Sequence, residues 1–444
     1  MTRFTRRSTW RGSRGSATLG GAMKLRPPRR RARRLLPPSL LILPLLLTSC
    51  VSDESRPLNI FNPEGPQARK IDQLHPWVFG VAGLIFVLVI GAVIYLGFAN
   101  RVDHATYDPE DLPPQTHGNL RLEIGWTILP AVILAVLAVP TVATIWALQS
   151  SEEDALPVMV IGQQWWWEYR YDVDGDGFFA EPPADGGDVQ SGSAALDPDD
   201  LRVANELVIP AGRRIELTIT SRDIIHSFWI PRLNGKRDAV PGRFHPWSIE
   251  ADEPGKYTGW CTEFCGLSHA RMRMSVMALS TEEYDAWFEN QLAGAEAIDE
   301  PAEDELAAEA SAAYRGQELF RGQCTSCHVV DSPAFEYPED FVAAQVSGAA
   351  PTLTKLATRT VYAGAIYSTY LGIEANDNSY DPAADDYLSL SSEFRLNEAG
   401  LKAWIHNAPE EKAMAPDEER GMPAFPGLTE RDLDDLVAYL ATLD

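Results

Sequence analysis

The sequence predicts a multidomain chain: a two-helix transmembrane hairpin, then an all-β domain of sandwich or Greek-key barrel type, then an all-α domain. Three observations carry this. Two apolar runs are long enough to cross a bilayer, short Val/Ile/Tyr/Trp-rich runs follow from Val158 to Leu279, and helical periodicity takes over from Tyr314. At 444 residues there is room for two or three domains.

The N-terminus reads as a targeting segment. A basic stretch from Arg26 to Arg34 precedes an apolar run from Leu35 to Leu47, then Leu47-Thr48-Ser49-Cys50. That pattern predicts a lipoprotein signal over residues 1–49, with cleavage before Cys50 and lipidation of its thiol; an uncleaved short anchor is the alternative. Residues 1–50 hold twelve Lys and Arg and no acid, within a net charge of −25. The remaining chain therefore carries 26 basic against 63 acidic residues. Such an acidic bulk argues against nucleic acid and suits a basic protein partner or high salt.

The two spans are Pro76 to Phe98 and Trp126 to Leu148, each with about the 20 residues a spanning helix needs. They fall in a lipid-anchored segment, residues 50–150. The connecting loop offers only Arg101 and Arg121, so the export signal sets the orientation and returns everything after residue 150 to the outer face.

Strands are expected at Val158–Asp172, Glu206–Pro210, Arg213–Ser221, Trp247–Ala251, Lys256–Trp260 and Met274–Leu279. Arg213 to Thr220 alternates as a half-buried strand should. Thr281 to Leu292 reads as a helix capped by Thr281, closing a domain over 151–292. An Ala/Glu-rich linker spans 293–313, and helices at Tyr314–Gln323, Glu398–His406 and Thr429–Leu443 make up the domain over 314–444. The acidic stretch Asp172 to Asp200 opens like a calcium loop, but Pro183 stands where the bidentate Glu belongs, so it reads as a solvated hairpin tip. Ile366 to Glu393, with its Tyr and Asp residues, is a long segment with no assigned role.

Two cysteine motifs carry chemistry. Cys261-x3-Cys265-x3-His269-x2-Met272, directly after a strand, offers soft ligands of the kind copper takes in electron transfer. Two thiolates so spaced can bridge a pair of ions, and His226 supplies a second imidazole from a strand edge. A disulfide would also explain Cys-x3-Cys in an exported chain; four soft ligands plus His226 favour metal. Cys324-Thr325-Ser326-Cys327-His328 is a c-type haem attachment motif, with His328 as proximal ligand. Zinc or a redox disulfide would need a second ligand pair. A distal thioether would raise the reduction potential, and Met414 and Met422 compete for the distal position, with His406 a more distant option expected to face solvent.

His226-Ser227-Phe228-Trp229-Ile230-Pro231, Lys236 to Arg243 and Cys261-Thr262-Glu263-Phe264-Cys265-Gly266 resemble subunit II of cytochrome c oxidase. The resemblance covers the hairpin and the β domain, and implies a cupredoxin-like barrel holding dinuclear copper, CuA. It implies His226, Cys261, Cys265, His269 and Met272 as side-chain ligands and Glu263 as a carbonyl ligand. The Glu263 carboxylate would reach a Mg²⁺ at the boundary with subunit I. Gln164-Trp165-Trp166-Trp167-Glu168-Tyr169 is similar to the family's aromatic patch, making Trp165 an exposed electron receiver from cytochrome c. Glu123, at the inner start of the second span, matches a carboxylate at the mouth of a subunit I proton channel.

Gly421-Met422-Pro423-Ala424-Phe425 resembles the axial-Met loop of class I cytochromes c, which selects Met422, and Pro351-Thr352-Leu353 resembles their haem-flanking loop. The whole arrangement resembles the fused, caa3-type subunit II of a proton-pumping haem–copper oxidase in a bacterial cell membrane. The implied partners are subunit I, with subunit III, and a soluble or membrane cytochrome c or upstream reductase as donor. The oxygen-reducing centre would lie on another chain. A CuA-containing nitric oxide reductase and a membrane-anchored copper chaperone or sensor are the alternatives.

Overall fold

The structure, a computed structural model, describes residues 57–101, 118–148, 152, 154–175, 177–178, 200–296, 298, 311–333, 335, 350–376, 378–416 and 420–444. The signal segment, Cys50, most of the 172–200 insertion and most of the linker lie outside the described residues.

A short helix α1 (Pro66–Asp72) leads into two long ones, α2 (His75–Ala99) and α3 (Leu120–Leu148). Both long helices are apolar all round and present their large side chains, from Trp77 to Trp146, outward. A cylinder of that kind needs a bilayer to cover it. Helix α3 starts six residues before the expected apolar run, because Asn119 Oδ1 accepts from the amides of Arg121 (3.1 Å) and Leu122 (3.4 Å) and nucleates the first turn. The segment before α2 is pinned to the β domain. The Glu64 amide donates to the Arg232 carbonyl (2.8 Å), the Arg232 guanidinium meets the Glu64 carboxylate (2.5 Å), and Arg69 pairs with Asp252.

Among the described residues the β domain has ten strands: β1 (Leu156–Gln163), β2 (Trp166–Tyr171), β3 (Leu201–Ala204), β4 (Glu206–Pro210), β5 (Ile215–Ser221), β6 (His226–Trp229), β7 (Lys236–Ala239), β8 (His245–Ile249), β9 (Gly255–Trp260) and β10 (Arg273–Leu279). One sheet runs β3-β2-β1-β5-β8 and a second β4-β10-β9, with β6 and β7 paired by themselves. The run expected as one strand, Val158–Asp172, is a tight hairpin that closes at Gln163 opposite Trp166. Strands β3, β6 and β7 have four residues each, too few to show a period, and β7 is mostly charged (Lys-Arg-Asp-Ala).

Between the sheets lie Trp167, Tyr169 and Tyr171, all fully buried. The Tyr171 hydroxyl donates to the Val208 carbonyl (2.8 Å) and accepts from the Val208 amide (3.0 Å), tying one sheet to the other. Helix α4 (Thr281–Leu292) closes the domain with Tyr284 and Trp287 inward. Its cap is Ser280 rather than Thr281: Ser280 Oγ accepts from the Glu283 amide, and the Glu283 carboxylate answers at the Ser280 amide.

The C-terminal domain packs α5 (Ala312–Gln323) across α7 (Glu430–Leu440), with α6 (Glu398–Glu411) alongside. Gly316 makes the crossing possible, since a Cβ there would collide with the Asp435 carbonyl. Phe320 meets Tyr439 at 5.3 Å between ring centres, and Arg315 holds Asp435 (2.6 and 2.8 Å). Helix α6 runs past its expected end at His406 and kinks at Asn407, ahead of Pro409. A small hairpin, β11 (Val361–Tyr362) and β12 (Tyr367–Ser368), interrupts the helical pattern.

Residues 366–393 have a structural job. Tyr370, Ile373, Tyr380, Tyr387 and Leu390 belong to the same buried cluster as the β-domain core. Beside them the buried Glu206 carboxylate accepts from the Tyr387 hydroxyl (2.7 Å), the Thr360 amide (3.0 Å) and the Thr360 hydroxyl. The segment is the seam by which the C-terminal domain docks on the barrel.

Glu168 gives the barrel a defined acid limit. Burial would push its carboxyl up, but Arg222 and then Arg170 overrule burial and hold it at about 2 instead of 4.5. Because the folded value lies below the unfolded one, the ionised carboxylate stabilises the fold above pH 4.5, and this is lost as pH falls toward 2. About 3 kcal/mol should vanish across that window. Thermal unfolding followed against pH should show this slope in the parent chain and its absence in Glu168→Gln.

Candidate metal centre

The end of the barrel gathers the soft ligands foreseen from sequence. His226 opens β6 and is fully buried; Cys261, Cys265, His269 and Met272 lie on the loop from β9 to β10. The ligand atoms of His226, Cys261 and Cys265 all fall within 4.8 Å of one another. The two sulfurs are 3.8 Å apart and unbonded. An imidazole Nδ1 stands at either end of the pair, His226 at 4.0 Å from Cys261 Sγ and His269 at 3.6 Å from Cys265 Sγ. Met272 Sδ lies 3.8 Å from Cys265 Sγ, and the Glu263 carbonyl 3.3 Å from Cys261 Sγ. The Glu263 side chain is exposed, as are Phe264 and Leu267 on the same loop.

Two thiols, two imidazoles and a thioether in a buried pocket suit copper; Mg²⁺ and Ca²⁺ take oxygen. The thiol pair is poised to lose a proton. The hydrogen bond from Cys265 holds Cys261 well below the ordinary thiol range, and the Cys261 sulfur in turn pushes Cys265 up.

Sequence reasoning missed Asp223. Its Oδ1 accepts from His226 Nε2–H at 2.8 Å, while Oδ2 accepts from the Gln164 amide at 2.7 Å. This fixes the tautomer and leaves His226 Nδ1 facing the sulfurs. Burial would lower the imidazole, but Asp223, then Cys261, raise it. An acid three residues before a candidate ligand was the available signal.

Trp165 departs from expectation. It is 3% exposed, not open to a donor, and its indole N–H donates to the Cys265 carbonyl (2.8 Å) beside a matching bond from Gln164 Nε2 (2.8 Å). Trp166 and Trp167 are buried as well, as core of the strand. Glu123 sits half-buried in the first turn of α3.

The second motif follows α5 directly. The amides of Cys327 (3.0 Å) and His328 (2.8 Å) both donate to the Cys324 carbonyl, a tight turn that brings the two thiols together. His328 Nδ1 donates to the Pro351 carbonyl (2.8 Å), which leaves Nε2 for an iron and gives the Pro351–Leu353 loop its role. The donor set therefore fits a covalent haem. Met422 is half-buried on the loop before α7, held to α6 by the Phe425 amide on the His406 carbonyl (2.9 Å). Met414 instead packs against the cluster shared with the barrel. His406 is exposed.

Fold and site together define a membrane-anchored chain with two redox-type metal sites. Residues 55–144 match the family described as cytochrome c oxidase subunit II, transmembrane domain, residues 156–279 its periplasmic domain, and residues 313–444 cytochrome c. Cytochrome c oxidase subunit 2 of Alkalihalophilus pseudofirmus is 30% identical over 423 residues, 93% of this chain and 97% of the relative. Its counterpart in Arabidopsis thaliana is 31% identical over 256 residues, 55% of this chain and 94% of the relative. The crystal structure of the periplasmic domain of subunit II of cytochrome oxidase from Bradyrhizobium japonicum is 29% identical, covering 32% of this chain and 96% of that one, with a TM-score of 0.25. The chain belongs to the cytochrome c oxidase subunit II family, and is thus a subunit of an oxidoreductase with a cytochrome c domain at its C-terminus.

Asp223→Asn should keep the fold and lower copper affinity about 10- to 100-fold, the usual cost of losing a ligand's supporting partner. Competition with a copper chelator measures it.

Proposed function

We propose that this chain is the electron inlet of a proton-pumping haem–copper oxidase, holding dinuclear copper in the barrel and covalent haem c in the C-terminal domain. The observation that carries the reading is the string of ligand atoms from His226 Nδ1 through Cys261 and Cys265 to His269 Nδ1, each 3.6 to 4.0 Å from the next. When bound, the copper pair and the haem supply reversible one-electron chemistry. The chain's own residues do the rest. Cys261, Cys265, His226, His269 and Met272 would hold the copper pair through their side chains, and Glu263 through its carbonyl. Asp223 fixes the His226 tautomer. Cys324 and Cys327 would tether the haem, with His328 Nε2 and the Met422 thioether as its iron ligands.

The chain takes electrons from a cytochrome c or reductase and hands them to subunit I, where oxygen is reduced. Phe264, 76% exposed, and Leu267, 65% exposed, beside the exposed Glu263 suit a face that subunit I covers, with the Glu263 carboxylate at a Mg²⁺ there. Glu123 serves the mouth of subunit I's proton channel. Both metal domains stand on the outer face of a bacterial cell membrane, with Cys50 lipidated.

Metal analysis and EPR of the full chain in detergent, matured with haem and copper, test this. Two coppers per haem with a delocalised mixed-valence signal are expected. One labile copper, or a Cys261–Cys265 disulfide in matured protein, would overturn the reading.

A further inference from the structure

The chain's own C-terminal domain packs against the backbone of Trp165. Its carbonyl accepts from Lys412 Nζ at 2.7 Å, and Lys412, itself buried, also donates to the Ala363 carbonyl at 2.9 Å. Ala363 to Ala365 form the tip of the β11–β12 hairpin, all three at positive φ (56°, 76° and 56°). Gly364 lies so close to Trp165 that a Cβ there would strike its carbonyl. The Gly364 carbonyl accepts from the Arg273 amide (3.0 Å). Hydrogen and covalent bonds thus run without a break from Lys412 through Trp165 to the backbone of Cys265.

A second seam lies beside the first. Arg271 stands between the ligands His269 and Met272. It donates to the Tyr367 hydroxyl (2.7 Å) and to the Glu411 carbonyl, and Tyr367 in turn donates to Glu411 (2.7 Å). Tyr367 meets Tyr362 (5.6 Å) and Trp404 (6.0 Å), ring centre to ring centre, inside the haem domain.

We propose that Lys412 and Tyr367, by tying the haem domain to Trp165 and to Arg271 of the ligand loop, position the internal step from haem to copper. This rests on the electron-inlet reading. Each event moves one electron, oxidising the haem iron and reducing the copper pair, with no bond made or broken and no proton transferred. Lys412 and Tyr367 act through Trp165 and Arg271, as positioning residues.

The test uses the full chain in its holo-complex, with a photo-reducible cytochrome c as donor. Flash reduction separates a concentration-dependent phase, donor to haem, from a concentration-independent one, haem to copper. Lys412→Met should slow the second phase about tenfold or more, the scale on which small misplacements of reacting partners act, and leave the first unchanged. Tyr367→Phe, which removes one hydroxyl and keeps the ring, should slow it by a smaller factor and serves if Lys412→Met does not fold. Hydrogen exchange at Gln163 to Trp167 should rise in Lys412→Met, reporting the opened seam apart from turnover. An unchanged second phase in both variants, or copper reduced before haem in the parent, would overturn the proposal. The mixed-valence copper signal and the haem band, recorded on every sample, show whether the electron-inlet reading itself stands.

Discussion

Two buried sulfurs 3.8 Å apart make an unstable arrangement by themselves. As thiols they tend toward a disulfide in an oxidising compartment, and as thiolates they repel. What keeps them at that separation is the frame around them. β9 and β10 pair in register and fix the two ends of the ligand loop, and the Cys261 amide, bonded to the Met272 carbonyl (3.0 Å), closes it. Gln164 and Trp165 hold the Cys265 carbonyl from the opposite sheet. Two sheets with a rigid aromatic core are thus the means by which His226 meets four side chains of the β9–β10 loop at one end of the barrel.

The second domain extends the same logic. Its docking is made of buried polar bonds at Glu206, Lys412 and Arg271 around a shared apolar cluster. Buried donors and acceptors left unpaired cost about 1–3 kcal/mol each, so these bonds penalise any other placement of the domain. Apolar contact supplies the adhesion and the polar bonds supply the register. For electron transfer register matters more, because a fixed gap is what a fast step needs.

Much of this was legible beforehand, for physical reasons that differ by element. The spans, the alternating β5 and the cysteine motifs show in sequence because bilayer thickness, the pleat and metal coordination each impose a fixed spacing. Asp223 was visible only as an acid near a histidine. Lys412, Tyr367 and Glu206 could not be read at all: their partners lie far away in sequence, and nothing local distinguishes a buried lysine from a solvated one. The expected exposure of Trp165 failed for the same reason, since its partners Cys265 and Lys412 lie 100 and 247 positions downstream. The cap at Ser280 and the hairpin hidden in Val158–Asp172 failed locally, where one residue decides a turn or a helix start.

The seam also sets an order of events in the life of the chain. Glu206 and Tyr387 are 181 residues apart. A ribosome finishes the barrel long before it makes the segment that covers it. For that interval the barrel presents an apolar face meant for Tyr370, Ile373 and Leu390, together with a buried acid whose donors do not yet exist. The same interval leaves Cys265 and Trp165 open from the side that Lys412 and the hairpin tip later close. Docking closes that side of the site with residues made well after the barrel's own strands are complete.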